Sequence, residues 1–508
     1  MYDVVIIGAG SAGSVIAARA SEHPNRTVLL VEAGPDYPVL AETPFDLVNG
    51  YDNSYVDHDW GLRYKPMPEG RTQPLPRGRV TGGSSAVNTT IALRGVPEDY
   101  DGWAALGNPE WAWERVLPAF RRLERDLDFG AEPYHGDAGP ITIRRHPPSE
   151  LTVTHAAFTA AADELGYPVC ADHNDPDGWG AGPQPMNKLG RLRVSAAVGY
   201  LAPARIRPNL TIEAETTIAH LVVERGRAVA AVVEGPDGTQ RRVEGRLFVL
   251  CAGAIGSPAI LARSGIGPAG ELNRLGIEPL ADVAGVGANL DDHPATTVVC
   301  QVKDAALAAR DLPLIQTILR YTAPGSDQRN DAQIELVTFA NHPSAAPAFG
   351  LAAVLEATFG RGRLHLASAD PHAPPVIESG FGTDERDVDR LADVLLDAVA
   401  FARSGPLAEL TEAVVHPRLP LDRDGARWLA THRLGSGYHP CGTARMGPAG
   451  DPGAVVDQYG RAHAVDNLVV ADASIMPFVP RANTNLTSIM IGEMVGEWLR
   501  TAPSRYGL

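Results

Sequence analysis

The chain is poor in cysteine and has no long apolar run. Its four cysteines, Cys170, Cys251, Cys300 and Cys441, are scattered through 508 residues without a CxxC pair. That spacing indicates neither a zinc site nor a disulfide framework, so no metal is expected. No apolar stretch approaches the ~20 residues a spanning helix needs, so membrane insertion is not expected. Positive charge is also short, with 44 Lys and Arg against 61 Asp and Glu and a formal net charge of −17. This balance disfavours nucleic acid and anionic membranes as partners. Internal repeats and low-complexity tracts are missing too. A secretory leader would need a basic start and an apolar stretch, but a strand pattern already begins at residue 2, so a cytoplasmic location is expected.

What is present is an ordinary globular composition, 44% hydrophobic and 21% charged, punctuated by 52 Gly and 42 Pro. The length suggests two to four domains. The chain opens on MYDVVIIGAGSAGSVIAARASEHPNRTVLLVEAG. Asp3 to Ile7 read as a buried strand, Gly8 to Gly13 as a tight turn, and the Ala-rich segment to Ala20 as a helix. Thr27 to Val31 read as a second strand ending on Glu32. Gly8 permits the turn, Gly10 lets the backbone approach a pyrophosphate, and Gly13 allows close helix–strand packing. The first helical N–H groups then face phosphates. Glu32 falls where an acid binds a ribose hydroxyl pair, which argues against a 2′-phosphate. On these residues alone, both FAD and NAD remain open.

Further along, residues 36–75 read as an irregular excursion and 77–90 as a Gly/Ser-rich loop. Ser149 to Leu165 are expected to be helical and Asp172 to Gly182 a turn-rich loop. Leu210 to Glu234 alternate like paired strands, with a hairpin at Glu224-Arg225-Gly226-Arg227. Val243 to Cys251 read as a buried strand. Residues 296–400 look like a separate sheet-plus-helix module, with an amphipathic helix near Val388 to Ala402. NLVVADASIMP is again strand then turn, followed by an apolar helix from Ser488 to Trp498. Nucleotide-type strands at both ends predict one discontinuous α/β domain (1–145, 205–295 and 435–508) with a second α+β domain inserted (146–204 and 296–434).

Three further stretches are suited to chemistry. In RGRVTGGSSAVN, adjacent glycines and hydroxyls suit a backbone wrapped around phosphates or a ring edge. CAGAIGSPAILARSGIGP combines a strand end, a turn and a short helix. YHPCGTARMG sets His439 in a Pro/Gly loop. Together with GAGSAG and Glu32, GVGANLDDHP and VADASIMPFVPRANTNLTSIMIGE, these blocks run in one order along nearly the whole chain. In that order the sequence resembles the glucose–methanol–choline oxidoreductase family of FAD enzymes.

The resemblance implies a Rossmann-like FAD-binding domain with an inserted substrate-binding domain. It selects FAD over NAD, and no second nicotinamide site is visible. It implies that Gly8, Gly10, Gly13 and Glu32 hold the ADP half. Val80, Gly83, Asn88 and Thr89 would follow the isoalloxazine and ribityl. Ile218 would meet the adenine, Asp472 and Ala473 the pyrophosphate–ribityl region, and Asn485 and Thr487 the flavin pyrimidine. Ser11, Ala12, Ala33, Gly82, Ser84, Ala252 and Gly253 would also bind the cofactor. His439 matches the active-site base and Asn483 its companion. Some members attach FAD through a His just before the loop Asn. That position is Val87 here, so FAD is expected to be non-covalent.

The implied chemistry is oxidation of an alcohol by hydride transfer to flavin N5, with His439 taking the hydroxyl proton. An ordinary imidazole near ~6.5 lies ~9 units below a hydroxyl as weakly acidic as water, a gap of ~12 kcal/mol. A free alkoxide would not accumulate, so proton and hydride transfer are expected to be closely coupled unless the site stabilises the oxyanion. The blocks RGVPEDYDGWAALGN, HGDAGPI and VPRANTNLTSIM most resemble hydroxymethylfurfural and aryl-alcohol oxidases and choline-dehydrogenase-like bacterial members. A primary aryl or furanic alcohol is therefore the expected substrate, with oxygen or another acceptor closing the cycle. Oxidation of a sugar or natural-product alcohol is the rival reading, and an inactive FAD-binding protein another.

Overall fold

The computed structural model describes residues 1–340 and 347–508. The six residues between them fall inside the module expected over 296–400 and outside the described residues. Two sheets organise the chain. The first is parallel and built from β1 (Tyr2–Ile7), β2 (Val28–Val31), β3 (Leu210–Glu213), β4 (Gln240–Leu250) and β5 (Leu468–Val470). Its strands lie in the order β3-β2-β1-β4-β5. The order reverses between β1 and β4, the switch point at which doubly wound sheets bind ligands. Val4 to Ile7 and Val28 to Val31 are buried, as their unbroken apolar runs require when both faces are covered.

Helix α1 (Ser11–Ala20) leaves β1 through the glycine turn. Gly8 has φ +100°, and a Cβ there would stand 2.5 Å from the Cys251 carbonyl oxygen. A Cβ on Gly13 would fall 1.9 Å from the Gly8 oxygen, so helix and strand can pack this closely only over glycine. Helix α2 (Gly253–Arg263) follows β4, and α3 (Thr484–Thr501) packs along α1. Gly492 and Gly496 form the contact face, since side chains there would strike Ala12 and Arg19. The buried Glu493 carboxylate between them accepts from Arg19 (2.7 Å), Arg122 (2.8 Å) and Tyr200 (2.6 Å). This packing brings the first turns of α1 and α3 together.

The second sheet is antiparallel, in the order Thr411–His416, Pro294–Val302, Ala348–Leu355, Ala332–Val337, Thr317–Tyr321 and Gly180–Pro183. The amphipathic helix Glu385–Arg403 packs on it and buries Leu391, Val394, Leu395 and Ala398. The α/β class and the Rossmann-like first sheet are as expected. Three element assignments shift. Leu210–Glu213 joins the parallel sheet instead of the hairpin, because Glu215 (φ +50°) breaks the run before Thr217–Glu224. The hairpin turns at Arg225 and Gly226, both with positive φ, which matches the right-handed twist of the flanking strands. Gly180–Pro183, placed at the end of a loop by its turn residues, forms an edge strand. The last helix begins at Thr484, four residues before its apolar stretch. Among the described residues, no helix is long and apolar enough to cross a membrane.

Buried neutral histidines make this fold acid-sensitive. His155 bonds the hydroxyls of Thr317 (2.7 Å) and Thr338 (3.1 Å), and burial drives it down to about 3. His173 is pushed to about 3 by burial, with Arg320 adding to the shift. Unfolded, both titrate near ~6.5. The unfolded chain therefore binds more protons between these values. Their stabilising contribution is complete above pH ~6.5 and is lost as the pH falls toward about 3. Taken alone, this contribution lowers stability from pH 7 to 4, against carboxyls raised by burial, such as Asp292 and Glu356, which favour the fold as the pH falls. In unfolding measured over that range, His155→Gln should remove up to ~1.4 kcal/mol per pH unit of this loss; an unchanged slope would remove His155 from this role.

Candidate functional site

A cavity of about 1770 Å³ runs from the switch point of the parallel sheet to one face of the antiparallel sheet. At the first end, Gly8, Gly10, Ser11 and Ala12 line it beside Glu32 and Ala33. Helix α1 starts there with no side-chain cap and no acid in its first turn. Its first N–H groups are thus left for an anionic ligand. The Glu32 carboxylate accepts from the Ala9 N–H and the Gly34 N–H, both at 2.9 Å. Burial pushes it up to about 7, against those hydrogen bonds.

The loop after Arg77 closes over this turn. Gly83 (φ +53°) lies so near Gly10 that a Cβ would come within 2.6 Å of the Gly10 Cα. Gly82 (φ +99°) donates its N–H to the Ala9 oxygen at 2.7 Å. Ser84, Val87, Asn88 and Thr89 line the cavity beyond. On the other side of the switch point, Asp472 Oδ2 accepts from the Gly253 N–H (2.9 Å) and the Ser257 hydroxyl (2.6 Å). Burial raises the Asp472 carboxyl above its ordinary range. Ser11 Oγ donates to Asn485 Oδ1 at 2.8 Å, joining the starts of α1 and α3. Asn485 Nδ2 has no hydrogen-bond partner among the described residues.

At the second end His439 stands between two side chains. Asn483 Nδ2 donates to its Nε2 at 2.9 Å, and its Nδ1 lies 2.9 Å from Nδ1 of His293. Because the amide donates, His439 Nε2 carries the lone pair. The proton then sits on Nδ1 and is donated to His293. Asp292 holds the arrangement: its Oδ1 accepts from the N–H groups of both His439 and His293 at 2.8 Å, and its Oδ2 from the Ser436 hydroxyl. Tyr438 beside it has φ +66°. Such a conformation costs a side-chain-bearing residue ~1–3 kcal/mol and is held by its surroundings.

Every charge here is disfavoured by burial. His439 is pushed well below its ordinary value by burial first, then by His293 and Arg77. His293 is fully buried and driven down to about 3. Asp292 is raised to about 6. Glu356 Oε2 lies 3.4 Å from His293 Nδ1. Burial raises Glu356 to about 8, so it stays protonated at neutral pH and draws no charge onto His293.

Of the residues expected at the site, Gly13, Val80, Gly82 and Thr487 lie behind the cavity wall, and the rest line it, including Ile218, Ala252 and Ala473. Val80 packs with Leu47, Ala86 and Val87, and Thr487 bonds the Tyr100 hydroxyl at 3.1 Å. Asp292, His293 and Glu356 are not singled out by the sequence. The only signal there is the polar run Asp291-Asp292-His293 directly before an apolar strand. Elsewhere, Glu124, Asp126 and His135 form a buried group of metal-ligating type. Arg94 contacts Glu124, and Arg145 pairs with Asp126 at 2.8 Å, so guanidinium groups already meet those carboxylates.

The Gly10–Gly83 contact yields a direct expectation. Gly83→Ala adds a Cβ at a positive φ and against backbone, so the loop must move off the glycine turn. FAD affinity should fall at least ~5-fold, the lower end of a ~1–3 kcal/mol strain cost. FAD content after dialysis reads this out; full retention would contradict it.

The chain matches GMC oxidoreductase over residues 2–295 and again, for its C-terminal part, over 358–492. It is 36% identical to a 5-(hydroxymethyl)furfural oxidase of Methylovorus sp. (strain MP688), covering 99% of each chain. It is 34% identical to oxygen-dependent choline dehydrogenase 1 of Chromohalobacter salexigens, covering 98% of this chain and 95% of that one. The crystal structure of pyridoxine 4-oxidase from Mesorbium loti superposes with a TM-score of 0.90 at 30% identity, covering 98% and 99% of the two chains. The chain belongs to the GMC oxidoreductases, FAD-dependent enzymes that oxidise CH–OH groups.

Proposed function

We propose that the chain oxidises a small primary alcohol, aryl or furanic, to the aldehyde, with His439 as general base and Asn483 as its partner at the substrate oxygen. The observation that carries this reading is the neutral His439 with its Nε2 lone pair turned to Asn483 in the cavity wall. The likeness to a hydroxymethylfurfural oxidase supports the furanic or aryl class.

The residues at the other end of the cavity fit FAD. The bare α1 N-terminus, the glycine-on-glycine contact and the unpaired Asn485 Nδ2 leave the donors and the close backbone approach that a dinucleotide requires. Gly8 to Ala12 and Glu32 would hold its ADP half. Gly83, Asn88, Thr89, Asp472, Ala473 and Asn485 would hold the remainder. Bound FAD supplies the two-electron acceptor for the carbinol hydride. Residues 1–145, 205–295 and 435–508 would form the FAD-binding part and 146–204 with 296–434 the substrate-binding part.

The chain's own task is to hold the alcohol and take its proton. Asn483 Nδ2, which donates to His439 Nε2, can turn that hydrogen bond to a substrate oxygen placed between them. His439 Nε2 then accepts the hydroxyl proton, while its Nδ1–H remains donated to His293. Burial makes His439 a weaker base than free imidazole, which widens the gap to the alcohol. Proton removal must therefore keep step with loss of the hydride. The imidazolium formed is relieved through His293, whose Nδ1 accepts at 2.9 Å.

His439→Ala should slow anaerobic bleaching of bound FAD by ~10²–10⁴-fold, the range for a general base, with FAD content unchanged. Asn483→Ala should cost less, at most ~2.7–4 kcal/mol. In the wild type the limb on which the rate rises with pH should lie below pH ~6.5, since His439 is neutral above it. An unchanged bleaching rate in flavin-replete His439→Ala would overturn the assignment.

Val87 lines the cavity at the position where some members of the family carry a linking His, and its side chain forms no such bond. Acid or heat denaturation should therefore release all FAD into the supernatant. Flavin left on the precipitated chain would contradict non-covalent binding.

A further inference from the structure

Asn88 and Thr89 line the cavity, but the side chain that grips their loop does not. Lys188–Leu189 and Leu192–Arg193 pair as a short hairpin. Arg193 on it is 1% exposed, and its guanidinium joins two segments distant in sequence. Nε donates to the Leu47 carbonyl at 3.0 Å, and Nη2 to the carbonyls of Asn49 (2.9 Å) and Asp52 (2.7 Å). Nη1 donates to the Asn88 carbonyl and, at 3.2 Å, to Asn88 Oδ1. All five acceptors are uncharged oxygens. Burial lowers the Arg193 pKa to about 10, which leaves it charged at neutral pH. A cation buried among neutral acceptors is costly, and only a full set of hydrogen bonds offsets that cost.

The rest of the hairpin holds the same stretch. The Gly50 N–H donates to the Arg191 carbonyl at 2.6 Å, and a Cβ at Gly50 would stand 3.3 Å from both that oxygen and Lys188 Cβ. Lys188 Nζ and the Arg191 guanidinium lie 4.9 and 4.2 Å from the centre of the Tyr51 ring. Stretch and loop are also tied directly. The Ser54 N–H donates to the Val87 carbonyl at 2.8 Å, and Thr90 Oγ1 to the Gly50 carbonyl at 3.4 Å. Thr90 has φ +61°, a conformation that a β-branched residue keeps only when its surroundings hold it. Beyond Asp52 the stretch turns into the cavity wall at Asn53 and Tyr55, and the Tyr55 ring lies 5.7 Å from that of Tyr438.

We propose that Arg193 is a positioning residue for FAD: by clamping residues 47–52 onto Asn88 it fixes the loop that holds the cofactor, and FAD leaves when this clamp opens. The inference rests on the reading above that Asn88 holds part of FAD. A guanidinium presents its donors in one rigid plane. Its five contacts can be made together only while Leu47, Asn49, Asp52 and Asn88 keep their present relation. The clamp also orients the Asn88 amide. Oδ1 is taken by Arg193 and by the Thr90 N–H at 2.9 Å, so Nδ2 is the atom left to meet a ligand. A lysine ammonium at this position would keep the charge but not the planar fork.

The test is the rate of FAD release from diluted holoenzyme, read as the rise in flavin fluorescence. Arg193→Gln and Arg193→Lys should each release FAD at least ~10-fold faster than wild type, the worth of hydrogen bonds from a charged group. Asn88→Ala should also speed release. The double variant Arg193→Gln/Asn88→Ala should fall short of the product of the single effects by at least ~5-fold, because both changes break one contact. A residue that only supported the fold would show effects that multiply. If Asn88→Ala releases FAD at the wild-type rate, the reading of Asn88 fails and this inference with it. If Asn88→Ala speeds release but Arg193→Gln does not, or if the two effects multiply, the present inference alone is overturned. Should neither Arg193 variant fold, hydrogen exchange on wild-type holoenzyme decides. The Gly50 and Ser54 N–H groups should then be protected to within ~10-fold of each other, as parts of one clamp; a larger difference overturns it.

Discussion

The Asp292 carboxylate is the constraint on which the site depends. One of its oxygens receives the main-chain N–H groups of His293 and His439, which lie far apart in sequence, and the other receives Ser436. His293 leads into a central strand of the antiparallel sheet, while His439 lies in a loop that runs back toward the parallel sheet. The carboxylate thus fixes the imidazole pair relative to both halves of the cavity. The neighbouring Asp291 repeats the device, taking the Thr358 hydroxyl at 2.6 Å and the Val479 N–H at 2.9 Å. It thereby ties down the segment that leads to Asn483. Without these anchors, neither the Nδ1–Nδ1 contact nor the Asn483 amide that sets the tautomer of His439 would have a fixed geometry.

Burying polar machinery has a consequence for charge. His439 and His293 are held neutral, while Asp292, Glu335 and Glu356 are all raised by burial. A site built this way contains hydrogen-bonding groups with little net charge between them. A proton taken from substrate changes that balance, and His293 is the first group placed to share it. The glycine-turn end, proposed to hold the dinucleotide, follows a different rule. There the donors are main-chain N–H groups at a helix start, which cannot titrate and serve an anion at any pH.

The nucleotide end is legible in the sequence because its physics is local. Gly8, Gly10, Gly13 and Glu32 lie within one strand–turn–helix–strand unit, and spacing alone fixes their relation. The 3.6-residue period likewise reveals the helix over Glu385–Arg403. The end proposed to be catalytic is legible only at His439 and Asn483, and there through resemblance to a family. His293 and Glu356 are placed by strand register between segments distant in sequence, which no local pattern encodes. Gln333 and Glu335 alternate in AQIELV onto one face of a strand, and only the assembled sheet shows that this face lines the cavity. Leu210–Glu213 reads as part of the hairpin because nothing in its alternation shows that a single left-handed residue, Glu215, hands the chain from the parallel edge of the sheet to the hairpin at its other end.

The central claim is that this cavity removes a hydride and a proton from an alcohol held at His439. The measurement that meets it most directly is anaerobic bleaching of the flavin by a primary aryl alcohol, with and without deuterium at the carbinol carbon. The account predicts bleaching by the alcohol, slowed by a primary isotope effect when the carbinol carries deuterium. A flavin that no alcohol bleaches, or bleaching that is insensitive to the label, would contradict it.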